Sequence, residues 1–399
     1  MIEINRDVIL ADEPGLGKTI QAAELINRTR PGSVLIVCPA SLRLNWAKEL
    51  EAWLAYHPYD LDIVSYESLV NSGNRPEVDL AVFDEAHYLK NPDAKRTRVA
   101  LAQKAGRRLF LTGTPVVNRP MDLFPILKAM GSPMSRTEFG KRYCAGHLQV
   151  VKWNPRTHKP MKTVWDFSGA SNTEELNASL RKTCMIRRTK AEVLKELPRK
   201  VRQVIDIEAP HGESLSLRNA VTAMFAGLES AAENVGELKR IAFQEMSAAR
   251  LETAQRKLPF VISYLKDLLE EGKVVVFAYH REVIEAISSA VPGAVYLYGG
   301  MSDKAKDAAV RAFQEGRSPC FVGQITAAGT GITLTAASTV LFAEIDWVPG
   351  NMTQAEDRCH RIGQTETVRV IHLTLADSVD GRMIRALVEK QEMIEKVMK

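Results

Sequence analysis

Short β-branched runs alternate with helical patterns through both halves of this chain, and no other feature narrows the fold as far. Parallel strands need a crossover, usually a helix, between each pair, so this alternation predicts parallel sheets wrapped by helices. In the first half the predicted strands are Val8–Ala11, Val34–Cys38, Leu80–Phe83 and Arg108–Leu111. Each runs into a polar, sharply turning segment: DEPGLGKT, PASLRLNW, DEAH and TGTPVVN. Ligands of open α/β sheets bind outside the carboxyl ends of the strands, so these four segments are expected at one crevice. The second half repeats the pattern with Val274–Ala278, Val295–Tyr298, Pro319–Gly323, Val340–Ala343 and Val368–Leu373. At 399 residues the chain exceeds what one hydrophobic core usually supports, which predicts two lobes of roughly 200 residues.

Between the two series, from about residue 116 to 205, strand signals fade, helix-compatible stretches increase and a helical insertion on the first lobe is expected. A second helical stretch, about 213–272, holds a candidate helical hairpin, and Arg382–Lys399 reads as a C-terminal bracing helix. The resulting boundaries are 1–210 and 211–399. Net charge is +5, which permits an anionic partner without requiring one. The five cysteines are widely spaced, with no C-x-x-C pair, and read as reduced thiols. With no run of about 18 apolar residues and no charged-then-apolar leader, neither a membrane span nor a membrane partner is expected. The expected setting is intracellular: cytoplasmic in a prokaryotic or viral context, or nuclear.

The stretch ADEPGLGKT, Ala11–Thr19, sits between a strand and an amphipathic helix. A phosphate cradle needs small residues where backbone N–H groups turn inward, a lysine for the β- and γ-phosphates, and a hydroxyl for Mg²⁺. Gly15, Gly17, Lys18 and Thr19 supply these, with Asp12 in place of the usual first glycine and Glu13 and Leu16 completing the loop. After the apolar LAVF comes Asp84-Glu85-Ala86-His87. Asp84 is suited to hold Mg²⁺, and Glu85 to orient and deprotonate the attacking water. An ordinary turn with a chance lysine and a solvated acidic cluster are the plain alternatives, and the order and spacing of the two motifs argue against both. In QAEDRCHRIGQ, Gln354–Gln364, Arg358 and Arg361 stand three apart, on one face if helical, and could stabilise charge on a γ-phosphate; a surface helix with salt bridges is the alternative.

Taken in order, DEPGLGKT, VCPASLRLNWAKEL, DEAH, LTGTP, MIRRTKAEVLKELPRK, VVVFAYH, ITAAGTGITLTAAS and QAEDRCHRIGQ resemble the Swi/Snf-related branch of superfamily-two helicases. Within it, FGKRYC, VWDFSGASNTEELNASL and FAEIDWVPGNMTQAEDRCHRIGQ look most like the annealing-helicase group that reanneals DNA and remodels stalled forks. The resemblance implies an α/β fold of two RecA-like lobes with helical insertions, ATP and Mg²⁺ as cofactors, and double-stranded or forked DNA as partner. It implies an ATPase that translocates on duplex DNA, with Lys18, Asp84, Glu85, Arg358 and Arg361 in catalytic roles, Thr19 and Asp84 on the metal, and Gly329 and Gly331 in a loop near the nucleotide.

Ser41, Thr112 and Thr114 of the first lobe and His280, Thr326 and Thr330 of the second match family positions that hold the DNA backbone, and Trp347 matches one that couples DNA contact to lobe closure. Two basic clusters, Lys95, Arg96 and Arg98, and Arg187, Arg188 and Lys190, are equally suited to DNA or to solvent. Trp153 and Trp165 suit base stacking or the insertion's own core. Pro14 stands where the family usually has methionine. The opening MIEINRDV holds neither a glutamine nor room for the adenine-reading helix of family members, so a reduced motor, a truncated one, or another protein or segment completing the adenine pocket are the expectations there. The alternative functions are a non-catalytic DNA-binding or assembly protein and a strand-separating helicase.

Overall fold

The computed structural model describes residues 6–384, apart from 74, 114, 117–118, 154–159, 208–234, 329–330, 347, 376–377, 379 and 382, with the backbone alone at 151–153, 160–162 and 235–246. Two six-stranded parallel sheets organise it. The first joins β1 (Asp7–Leu10), β2 (Ser33–Cys38), β3 (Asp60–Ser65), β4 (Val78–Phe83) and β5 (Ala105–Leu111). A hairpin of β6 (His147–Trp153) and β7 (Pro160–Asp166) follows, then the two-residue β8 (Met185–Ile186), which closes the first sheet in the order β3-β2-β4-β5-β1-β8. The second sheet uses β9 (Lys200–Ile207), β10 (Val274–Ala278), β11 (Val295–Leu297), β12 (Cys320–Gln324), β13 (Thr339–Phe342) and β14 (Val368–Leu375), in the order β11-β12-β10-β13-β14-β9.

The central strands read as continuous apolar runs because helices cover both faces. SVLIVC in β2 and VVVFA in β10 are buried at every position. Side chains alternate between faces. In the first sheet Ile9, Leu35, Val37, Phe83 and Phe110 fill one core, while Val8, Leu10, Ile36, Val82 and Leu109 fill the other. In the second, Val275, Phe277, Phe321 and Phe342 oppose Val274, Val276, Val322 and Leu341.

All nine predicted strands are present within three residues of their expected ends. Others were not anticipated. DLDIVS of β3 carries two acids and pairs as an edge strand with β2, so it lacks the apolar continuity that marks its neighbours. The insertion read as helical contains the β6–β7 hairpin and β8, the latter parallel to β1. β9 pairs with β14 along its whole length, which draws residues 200–207 into the second sheet. One break between the compact units accordingly falls between Leu197 and Pro198, and Leu148–Trp165 are counted with the second. From the stretch 213–272, a single helix Val235–Glu271 is described; residues 213–234 and most of the expected bracing helix lie outside the described residues.

Candidate functional site

The stretch Ala11–Thr19 leaves the carboxyl end of β1 and enters the helix Lys18–Thr29. Gly15 and Gly17 sit at φ 90° and 73°, in the left-handed region that a Cβ resists. Lys18 Nζ donates to the Asp12 carbonyl at 2.9 Å. Gln21 spans the loop, donating to Asp12 Oδ2 at 3.1 Å and the Leu16 carbonyl at 2.9 Å. A Cβ on Gly113 would stand 2.6 Å from Pro14 Cγ, so Pro14 seats the phosphate loop directly on the LTGTP turn.

Asp12 is fully buried. It accepts the Arg188 backbone N–H at 2.9 Å and pairs with the Arg188 guanidinium, which also reaches Gln21. Arg187 donates to the Ala11 carbonyl at 2.8 Å, and the Lys190 N–H to Glu13 Oε2 at 2.7 Å. The RRTK segment thus continues from β8 as a clasp along the start of the loop. The Asp12 and Glu13 side chains hold the clasp, and the Arg187–Lys190 cluster is engaged at the loop. An acid in the first-glycine place together with a dibasic pair was the available signal, but nothing in the spacing joined them.

Asp84 and Glu85 follow β4, next to β5 and one strand removed from β1. Trp46 donates its indole N–H to Asp84 Oδ2 at 2.8 Å, the Glu85 N–H reaches Oδ1 at 2.9 Å, and Tyr66 donates its hydroxyl to the Asp84 carbonyl at 2.8 Å. Burial, then the Glu85 charge, push the Asp84 carboxyl up to about 6. Glu85 takes φ 48°, unusual for a residue with a side chain and a mark of local strain at functional positions. His87 Nδ1 lies 3.2 Å from Glu85 Oε2 and 3.4 Å from Thr112 Oγ1. Thr112 is buried and belongs to this cluster. The acidic motif, the phosphate loop and the threonine turn therefore occupy one end of the first sheet. Trp46 and Tyr66 escaped the sequence reading, which saw only a tryptophan after β2 and a tyrosine after an unrecognised strand.

In the second unit the helix Pro349–Glu356 ends before Arg358, so the two arginines do not share a helical face as expected. A turn brings them together instead: both donate to the Ile332 carbonyl, at 3.4 and 3.2 Å, beside Gly331 at φ 73°. The segment is tethered from behind. Glu356, 2 % exposed, accepts from Arg202 and pairs with Lys200 at 2.8 Å; Lys200 also reaches Asp357 at 3.1 Å. His360 Nε2 lies 2.8 Å from the Pro198 carbonyl, and Gln364 donates to that of Ala337 at 2.9 Å.

Ser41 is exposed beyond β2, Thr326 is exposed in the short helix Ile325–Ala328, and Lys95, Arg96 and Arg98 are exposed on the helix Lys95–Ala102. His280 is turned inward: Nδ1 lies 2.6 Å from Glu344 Oε1, and the Tyr279 and His280 N–H groups donate to Oε2. Burial pushes the Glu344 carboxyl up, but the His280 bonds outweigh it and hold it below the usual range. Trp165 is partly exposed. Thr114, Gly329, Thr330 and Trp347, and the side chain of Trp153, lie outside the described residues. All five cysteines are free thiols, and no helix among the described residues is long and apolar enough to cross a membrane.

Residues 2–74 and 58–255 match the SNF2-related domain, and residues 257–363 match the helicase conserved C-terminal domain. The chain belongs to the SNF2-related family. Among SNF2-related proteins it is 34% identical over 422 residues to a "SWI/SNF-related matrix-associated actin-dependent regulator of chromatin subfamily A-like protein 1" of Xenopus tropicalis, covering 97% of this chain and 42% of that protein. It is 33% identical over 426 residues to the human "DNA annealing helicase and endonuclease ZRANB3", covering 98% of this chain and 38% of that protein. The chain thus spans about two fifths of the length of these curated relatives. A solved "Sulfolobus solfataricus SWI2/SNF2 ATPase core in complex with dsDNA" is similar at TM-score 0.41 and 23% identity, covering 100% of this chain and 90% of that one.

Proposed function

We propose that this chain is an ATP-hydrolysing motor that moves on double-stranded DNA, with strand annealing or replication-fork remodelling as its task. The observation that carries this reading is the assembly at one end of the first sheet. The glycine loop with Lys18, the Asp84–Glu85 pair and the Thr112 turn follow β1, β4 and β5, and are joined through His87 and through Pro14 on Gly113. Membership of the SNF2-related family and similarity to an annealing helicase support the DNA partner.

The donor set fits nucleotide and Mg²⁺. Asp84 is a buried carboxylate whose two hydrogen bonds come from neutral donors, and with the Thr19 hydroxyl it offers the hard oxygens that Mg²⁺ takes. When bound, the ion neutralises charge on the β- and γ-phosphate oxygens. Lys18 and the amides of 15–19 receive the phosphates. Glu85, with His87 beside its carboxylate, orients water and takes its proton. Arg358 and Arg361 serve as the cationic pair for charge building on the γ-phosphate. Ser41, Thr326, Thr114 and Thr330 offer hydroxyls and amides to backbone phosphates, contacts that fix position without reading sequence.

ATP hydrolysis is measured with duplex, forked, single-stranded DNA and RNA. Duplex or forked DNA should stimulate it, and Lys18→Ala or Glu85→Gln should abolish the gain. Stimulation surviving either change refutes the reading, and displacement of a labelled strand from a plain duplex would favour a strand-separating helicase.

A further inference from the structure

The first unit holds two buried carboxylates at its nucleotide end, and it treats them in opposite ways. Asp12 is matched by the Arg188 guanidinium, so its charge is cancelled and it serves as a fastening. Asp84 receives one neutral donor on each oxygen: the Trp46 indole at 2.8 Å on Oδ2 and the Glu85 amide at 2.9 Å on Oδ1. A neutral donor fixes the plane of a carboxylate without cancelling its charge, and it leaves one further lone pair on each oxygen. Trp46 is 1 % exposed and packed in the core that its helix, Arg43–Trp53, shares with the first sheet, so its N–H is held by the packing around it. The Tyr66 hydroxyl on the Asp84 carbonyl prevents the main chain from following if the side chain turns.

We propose that Trp46 is a positioning residue for the divalent cation: its indole N–H sets the orientation of Asp84 and thereby the affinity of the site for Mg²⁺. The inference rests on the nucleotide reading above and adds to it the residue that holds the metal-bearing carboxylate in place. Partners that orient a metal ligand through a hydrogen bond typically contribute 10–100-fold in metal affinity. Trp46→Phe, which keeps an apolar ring but removes the donor, should weaken the cation by that factor.

Mn²⁺ is the probe, titrated by electron paramagnetic resonance in the presence of a non-hydrolysable ATP analogue. The expected result is a 10–100-fold weaker Mn²⁺ affinity for Trp46→Phe, with nucleotide affinity in EDTA unchanged and ATP turnover recovered at high Mg²⁺. Leu50→Ala, a core deletion on the same helix at a side chain 3 % exposed, should leave Mn²⁺ affinity alone. Equal loss in both variants makes Trp46 a packing residue only and overturns the proposal, as does unchanged affinity in Trp46→Phe. In the wild-type chain, whose five tryptophans give separate indole N–H resonances, Mn²⁺ with the analogue should broaden the Trp46 signal most strongly; no broadening there overturns the inference without any variant. Wild-type chain that binds neither nucleotide nor Mn²⁺ refutes the nucleotide reading itself.

Discussion

Replacing Glu356 by glutamine isolates the charge that tethers the arginine segment to the edge of the second sheet. Glu356 is 2 % exposed and accepts from Arg202 at 2.9 and 2.6 Å, with Lys200 Nζ 2.8 Å away. Burial alone would push its carboxyl up, but the Lys200 and Arg202 charges outweigh it and hold it at about 2, against an ordinary 4.5. At about 1.4 kcal/mol per tenfold, that difference corresponds to roughly 3 kcal/mol of stability. Lys200, whose side chain is 14 % exposed, carries more of it than Arg202, which is 49 % exposed and screened by water. Removing one member of a buried pair costs about 3–5 kcal/mol in general, which agrees. Because β9 carries both cations and pairs only with β14 in this sheet, the loss should appear there as local opening. Hydrogen exchange of peptides covering 200–207 and 368–375 should accelerate about 100-fold in Glu356→Gln at neutral pH, while β2 and β4 stay unchanged; less than about threefold acceleration would refute the reasoning. A carboxyl depressed by folding contributes stability that is present above its unfolded value and lost as pH falls toward the folded one. The gap between wild type and variant, followed by denaturant midpoints at pH 7, 5 and 3, should therefore narrow from about pH 4.5 down toward about 2.

Three further outcomes follow from contacts at the two sites. Arg188→Ala leaves the Asp12 carboxylate buried with only the residue-188 amide and Gln21 as donors; with the guanidinium half-exposed, a loss of about 1.5–2 kcal/mol is expected, read as roughly 10–30-fold weaker binding of a fluorescent ATP analogue. Gly113→Ala drives a Cβ into the Pro14 ring and should cost about 1–3 kcal/mol, seen as a lowered melting temperature that Pro14→Ala restores in the double variant. Burial holds the His372 imidazole down at about 4, against an ordinary 6.5. The unfolded chain then takes up the proton first, so this residue's contribution, roughly 3 kcal/mol, should be lost as pH falls from about 6.5 to 4, and His372→Phe should flatten that limb of the stability profile.

The sequence by itself determined the parts of this protein whose signals are contiguous. Strands buried on both faces declare themselves as unbroken apolar runs, and a phosphate loop must string its glycines, lysine and hydroxyl between one strand and one helix, so both were legible without a fold. The SNF2-related order of motifs was legible for the same reason. Tertiary structure alone decided what holds those parts. Arg188 meets Asp12 from 176 residues away, Trp46 meets Asp84 from 38, Pro14 meets Gly113, and Lys200 meets Glu356. It also gave Thr112 and His280 their partners His87 and Glu344, and replaced the expected helical face of Arg358 and Arg361 by a turn. A buried charge or donor has no meaning until its counterpart is known, and the counterpart is set by which strands lie side by side, an order that the linear alternation of strand and helix does not contain.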